Sequence, residues 1–355
     1  RAIEDYHCSQ LPDGMLQCRY PSMLPQVIPS FSFYWIDMLE EHYMHFGDRR
    51  LLERYRPTML KLLDWFEERL TPEGIVGMTP YDMWTFFDWV ENWPFGAPPS
   101  QDQAPMTLHS LMYITALQKA SAILAETGWN DASREMAARA DRVREAVRRT
   151  CWSEERRLFA NAPGSKEDFS VHAQVWAVLA EVVKGDEARE LLERTLADES
   201  LPVVSLPQTF ALMRALERTG LYSHAFVQWD RWRKFLGLDL TTTPEIAHGT
   251  PRSDCHAWSA LPLYEFSASQ LGVRPAAPGY ASIVVAPRPE GLDWARGKVP
   301  IPQGEVTVDW RIEAGRFHLT VEAPAGIPLE LRLPDGSVME TDGSGRYTGS
   351  CPYRK

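Results

Sequence analysis

From Phe31 to about residue 272, apolar residues recur every three to four positions in segments of a dozen to twenty residues, the period of helices that bury one face. The pattern predicts helices near 31–46, 51–70, 105–127, 131–150, 169–184, 186–197, 207–219, 222–236 and 254–271. Only Thr127-Gly128-Trp129-Asn130 separates 105–127 from 131–150, and a turn centred on Gly220 separates 207–219 from 222–236. Connections that short force antiparallel neighbours. Longer loops rich in Trp and Pro join the successive hairpins, so residues 1–272 are expected to form a mainly α body, an (α/α)6 barrel with its long, function-bearing loops gathered at one end.

After Gly272 the period drops to two. Ser282–Ala286, Glu305–Trp310, Arg316–Val321 and Pro328–Leu333 alternate apolar and polar positions between Gly, Pro and Asp-Gly breaks, so residues 273–355 are expected to form a small antiparallel β-sandwich. Arg274-Pro275-Ala276-Ala277-Pro278-Gly279 is the linker, and Pro334-Asp335-Gly336 is a turn. Six hairpins need twelve helices, and Ser9-Gln10-Leu11-Pro12-Asp13-Gly14 already reads as a helix exit. The first helices of the barrel are therefore expected upstream of Arg1.

A net charge of −11 argues against nucleic acid or an anionic membrane as partner, because both repel an acidic surface. Thirteen Trp, twelve Tyr and fourteen Phe push toward carbohydrate, whose C–H faces suit flat rings, although most aromatic residues fill core volume. Five scattered cysteines, an odd number, favour a reducing compartment and hence the cytoplasm, with an export signal in an upstream segment as the alternative. No run of about 18–20 apolar residues would span a bilayer. No Cys/His pattern has zinc spacing, so neither metal nor cofactor is expected; His42 and His45 lack a third ligand nearby. Oligomeric state leaves no trace in the pattern.

Two windows concentrate chemistry. In the first, Thr241-Thr242-Thr243-Pro244-Glu245 precedes Arg252-Ser253-Asp254-Cys255-His256-Ala257-Trp258-Ser259-Ala260. Glu245 on a Thr/Pro-rich turn suits a general base whose pKa partial burial lifts; equally, it suits the N-terminal end of a helix. In the second, Phe87-Asp88-Trp89-Val90-Glu91-Asn92-Trp93-Pro94, Asp88 is placed to bind sugar hydroxyls while Trp89 or Trp93 stacks beneath a ring; a capping Asp among wall-plugging tryptophans is the plainer reading. Gln174 and Trp176 fit either a barrel mouth or the core. Nucleophile-elbow, phosphate-loop, dinucleotide and His-Glu-x-x-His motifs are absent from the sequence, which leaves carboxylate chemistry in an aromatic pocket, most often glycoside hydrolysis.

Leu240–Glu245 with Arg252–Ala260 resembles the corresponding segment of bacterial α-L-rhamnosidases of glycoside hydrolase family 78, which are six-hairpin glycosidases. Pro12-Asp13-Gly14 through Tyr20-Pro21-Ser22, Asp88-Trp89, Gly272–Tyr280 and Ala286-Pro287-Arg288-Pro289 are similar to family landmarks in family order, so the resemblance covers nearly the whole chain. It implies an inverting hydrolase that releases terminal α-L-rhamnose from glycosides or oligosaccharides. Glu245 then matches the base, Asp88 an acidic residue that holds the sugar, and His256 and Trp258 the rhamnose pocket, with Arg252 and Trp89 beside them. The family's general acid, in an Asp-x-x-x-Arg-x-Glu type motif, belongs upstream of the Asp13-Gly14 turn and has no match here. Pro244 departs from the aromatic or small residue usual before the glutamate. Two alternatives stay open: a polysaccharide lyase of the (α/α) toroid type and a noncatalytic carbohydrate-binding protein.

Overall fold

The computed structural model describes every residue except 248, 342, 344, 354 and 355. The chain divides into two units, residues 1–40 with 50–258 and residues 41–49 with 259–355. Helices α1 (Ala2–Cys8), α2 (Pro29–Phe46), α3 (Arg49–Glu67), α4 (Thr107–Glu126), α5 (Asn130–Cys151), α6 (Val171–Leu179), α7 (Gly185–Ala197), α8 (Leu206–Arg218), α9 (Asp230–Leu236) and α10 (Leu261–Glu265) follow in order.

Two kinds of helix alternate in the first unit. Every residue of α6 is buried, as is nearly all of the first half of α4 from Thr107 to Leu117. By contrast α5 buries one stripe, Met136, Ala140, Val143, Val147 and Cys151, and α7 another, Ala188, Leu191, Leu192 and Thr195. A helix apolar all round is enclosed by others, whereas a single stripe marks a helix with one face in water. The sequence thus pairs an inner helix with an outer one, and the turn between α4 and α5 closes on Gly128 at φ 84°, the left-handed conformation that favours glycine.

Hydrogen bonds between the loops that precede the inner helices tie them together at one end. Ser30 Oγ donates to Phe86 O at 2.7 Å, Trp84 N to Val27 O at 2.9 Å, Thr107 N to Asn161 O at 2.8 Å and Val171 N to Pro202 O at 3.1 Å. The α/α-hairpin expectation is met there, with long loops clustered at the helix starts.

Three helix bounds differ from those read off the sequence. The segment expected over 169–184 ends at Leu179, because Arg144 and Arg148 of α5 donate to Ala180 O at 3.0 Å and Val182 O at 3.1 Å and satisfy carbonyls that further helix would use. The first half of 222–236 is 3₁₀, with Tyr222 and Ala225 buried three apart. Residues 254–271 break into a 3₁₀ turn (Ala257–Ala260), α10 and a π turn (Phe266–Gln270); Pro262 in the first turn of α10 starts a new helix there. Helix α1 lies in a segment where only a helix exit was read. Among the described residues no helix is long and apolar enough to cross a membrane.

The hairpin β1 (Trp152–Ser153) and β2 (Leu158–Phe159) belongs to the first unit. In the second, β3 (Val273–Pro275), β4 (Ile283–Val285), β5 (Trp294–Ile301), β6 (Gly304–Glu313), β7 (Arg316–Glu322), β8 (Leu329–Arg332), β9 (Val338–Glu340) and β10 (Arg346–Pro352) form two four-stranded sheets, ordered β10-β7-β6-β5 and β3-β4-β8-β9. One expectation is corrected here: β4 and β8 run parallel, so the second sheet is mixed. Alternate residues Val306, Val308 and Trp310 of β6 and Phe317, Leu319 and Val321 of β7 meet Ile283, Val285, Leu329 and Leu331 in one core. The Trp310 indole N–H, buried with it, donates to Gln270 O at 2.7 Å. Pro334-Asp335-Gly336 turns between β8 and β9, with Gly336 N donating to Leu333 O at 2.9 Å.

Candidate active site

The window around Glu245 is a folded-back loop. Glu245 N donates to Ser253 O and His256 N to Thr243 O, both at 2.8 Å, so residues 243–245 and 253–256 pair as a short ladder. The Trp258 indole N–H closes the base on Glu245 O at 2.8 Å. Among the described residues no helix begins between Glu245 and His256, which removes the helix-end reading of this glutamate.

The Glu245 side chain is 2% exposed. Its Oε1 accepts from the Trp89 indole N–H at 3.1 Å and from Arg252 Nη2, and its Oε2 accepts from Arg252 Nε at 3.1 Å. The Arg252 side chain is two-thirds exposed, and its guanidinium lies 5.2 Å from the Trp89 ring centroid. Paired hydrogen bonds to a guanidinium favour the ionised carboxyl, whereas burial disfavours it. Arg252 wins: it holds the Glu245 carboxyl below the usual range, opposite to the lift that burial alone would give. His256 is pushed below the ordinary histidine value by burial, with Glu245 acting the other way. Its ring sits 3.9 Å from that of Trp258, which in turn lies parallel to Phe86 at 6.3 Å.

The second window meets the first through Trp89. Phe87 N and Asp88 N both donate to Gly96 O, at 2.8 and 3.1 Å, folding the loop on itself. Gly96 has φ 83°, and a Cβ there would stand 2.3 Å from the Phe86 ring, so only glycine fits. Asp88 has no exposed surface. Its Oδ1 accepts from Trp89 N at 2.8 Å and from Ser205 Oγ; its Oδ2 accepts from His172 Nε2 and Ser205 N, both at 2.7 Å. All four acceptor directions of the carboxylate are filled by protein donors. Trp93 is 5% exposed and packs on the His172 ring at 4.4 Å.

Glu245, Trp89 and Arg252 line one cavity of about 270 Å³, together with Glu91, Ile246 and Thr250. His256 and Trp258 brace Glu245 from its own loop, Asp88 sits one residue behind Trp89, and Trp93 lies on the far side of that stretch. Gln174 takes a core place, accepting from Phe159 N at 2.8 Å and donating to Phe159 O at 2.7 Å, and the Trp176 indole N–H donates to Gln208 at 2.9 Å. His172 and Ser205 were not singled out from the sequence. The one available signal was a histidine on a helix otherwise built of apolar residues and a glutamine. Among the described residues no three His, Cys, Asp or Glu side chains cluster as a metal would require.

A buried carboxylate held ionised thus stands among indoles at the loop end of the helical hairpins. The model of the bacterial alpha-L-rhamnosidase 6 hairpin glycosidase domain matches residues 1–209, and that of the bacterial alpha-L-rhamnosidase C-terminal domain matches residues 272–347. The chain belongs to the bacterial α-L-rhamnosidase family of six-hairpin glycosidases. It is 22% identical over 324 residues to an alpha-L-rhamnosidase of Alteromonas sp. (strain LOR), covering 83% of this chain and 33% of that protein. The crystal structure of a GH78 family rhamnosidase of Bacillus sp. GL1 superposes with a TM-score of 0.84 at 28% identity, over 95% of this chain and 36% of that one. A Streptomyces avermitilis alpha-L-rhamnosidase complexed with L-rhamnose shares the fold at 18% identity and a TM-score of 0.75, over 98% of this chain and 36% of that one. The chain thus spans about a third of the length of these relatives.

Proposed function

We propose that this chain forms the catalytic body and trailing sandwich of a hydrolase that releases terminal α-L-rhamnose with inversion, Glu245 being the base. The observation that carries the reading is the Glu245 carboxylate itself: buried, held ionised, fixed by a backbone ladder and facing a cavity walled by Trp89. In an inverting step one carboxylate removes a proton from water, the water oxygen bonds to the anomeric carbon, and the departing glycosidic oxygen takes a proton from a second carboxyl group. Glu245 serves the first role once Arg252 frees an oxygen, and the exposed position of Arg252 permits that exchange. The family resemblance assigns the second role to a motif ahead of the Asp13-Gly14 turn. Neutral His256, able to donate and accept, and the Trp89 and Trp258 rings suit a sugar's hydroxyls and C–H faces. Asp88 acts here as a positioning residue: it pins the Trp89 backbone, and Trp89 pins Glu245.

Among the described residues the cavity is lined by Glu245, Glu91 and one guanidinium, a lining that does not favour the uronate a lyase would bind. Arg252 on both Glu245 oxygens does favour one second reading, sugar binding without turnover. An assay with an aryl α-L-rhamnoside whose leaving group departs without protonation, such as a dinitrophenyl rhamnoside, separates the two, because the base alone then suffices. With Glu245→Gln, turnover should fall about 10²- to 10⁴-fold, the usual worth of a general base. Unchanged turnover removes Glu245 from the chemistry, and release of the α anomer first, seen by proton NMR, would rule out inversion.

A further inference from the structure

Ser205 stands at the start of α8 but does not cap it. A serine there ordinarily turns its hydroxyl oxygen onto the first free N–H groups of its own helix, and this one makes no such bond. Its Oγ and its N both donate to Asp88 instead, N at 2.7 Å. What steadies Ser205 lies behind it. Fully buried Thr209, one turn on, donates from Oγ1 to Ser205 O at 2.8 Å, and the same oxygen accepts from Arg231 Nη1 of α9 at 3.0 Å. A guanidinium only donates, so it fixes the Thr209 hydroxyl with its proton toward Ser205.

Arg231 is partly buried, and among the described residues its one hydrogen bond is the one to Thr209. Taking an arginine out of water without a carboxylate in contact is costly. Burial pushes it below the ordinary guanidinium value, and among the described residues the one charge acting the other way is Asp88. On the far side of Asp88, Oδ1 accepts from Trp89 N at 2.8 Å, and the Trp89 indole N–H reaches Glu245 Oε1 at 3.1 Å. A continuous line of hydrogen bonds therefore runs from Arg231 through Thr209, Ser205, Asp88 and Trp89 to the Glu245 carboxylate.

We propose that Arg231 is a positioning residue for the hydrolysis: by orienting Thr209 and attracting Asp88 it holds the Trp89 backbone, and through the Trp89 indole it aims Glu245. The effect on rate rests on the hydrolase reading; the line of bonds does not. Exposed Arg252 grips the same carboxylate, and once it frees an oxygen the Trp89 indole is the side-chain partner that still fixes the base. Distance from the chemistry is no objection, since a reacting group shifted by about 1 Å can lose about 100-fold in rate.

The test labels the indole nitrogens with ¹⁵N and follows the Trp89 cross-peak, assigned by its loss in Trp89→Phe. In Arg231→Met that peak should move upfield as the indole bond to Glu245 loosens. With a dinitrophenyl rhamnoside, kcat should fall about tenfold while KM changes less. Arg231→Lys keeps a charge and a donor, so it should restore the greater part of both, and Arg233→Met, exposed on the same helix, should move neither. Should Arg231→Met fail to fold, Thr209→Val cuts the line one link further in with a side chain of the same shape, and the same changes are expected. A merely structural Arg231 would lower thermal stability and leave the peak and kcat of the folded protein in place. An unmoved peak, an unmoved kcat or a peak that Arg231→Lys fails to restore overturns the proposal. A wild type without turnover sinks the hydrolase reading alone; a peak that moves and returns then still supports Arg231 as the residue that positions Glu245, and a still peak overturns it.

Discussion

Replacing Asp88 by Asn tests the central joint of the helical unit, because it keeps the side chain's shape and removes one acceptor. With the amide oxygen at the Oδ1 position, the bonds from Trp89 N and Ser205 Oγ survive, but the amide NH₂ then faces Ser205 N–H, donor against donor. His172 adapts by moving its proton to Nδ1, which has no partner in the protein. With the amide flipped, Ser205 N keeps its acceptor and Trp89 N loses it. Either way one backbone N–H is orphaned, at about 1–3 kcal/mol, and the surviving bonds lose their charge assistance, roughly another 1 kcal/mol. The total is about 2–4 kcal/mol. For a domain of 150–250 residues each kcal/mol moves the midpoint by about 2–4 °C, so a fall of at least about 4 °C is expected in thermal unfolding followed by near-UV circular dichroism. Asp88→Ala should cost about 3–5 kcal/mol, since it strips all four donors of their partner. A shift below about 2 °C in Asp88→Asn would show that the four bonds do not hold this loop, and with it would go the positioning role given to Asp88.

Arg252→Met removes the cation that depresses Glu245, so the folded-state pKa of Glu245 rises and the carboxylate is lost earlier as pH falls. The acid limb of the kcat/KM profile should therefore move to higher pH; a limb that stays in place, or moves lower, refutes the pairing. The stability that Glu245 draws from its lowered pKa is present above the unfolded value and lost as pH falls through the folded one, and in Arg252→Met that contribution, and with it the loss on acidification, should shrink. In the second unit, Trp310→Ala empties the centre of the sandwich and should destabilise it by about 3–5 kcal/mol, read from its urea midpoint.

The inner and outer helices were legible because their periods differ: α5 and α7 show a single stripe, while α4 and α6 show hardly any polar face. The end of α6 was not legible, because arginines of another helix impose it. The parallel pairing of β4 with β8 also escaped, since alternation reveals a strand and not its neighbour. At the site, Glu245, Arg252, His256 and Trp258 stood close in sequence and are close in space. The environment of Asp88 was invisible, because its partners His172 and Ser205 lie 84 and 117 residues along the chain. Glu245 was expected to have a raised pKa, and composition gave no sign that Arg252 would turn back on it.

The loop from Thr243 to Trp258 holds its own shape: ladder bonds, the indole clasp and the Arg252 pairing all join residues within it, and the Trp89 indole meets its carboxylate from outside. A segment built this way is a transferable part. Exchanged as a cassette between relatives that keep the receiving tryptophan, it should carry charge, brace and cavity wall together, whereas Asp88, tied to distant helices, can be moved only with the scaffold around it.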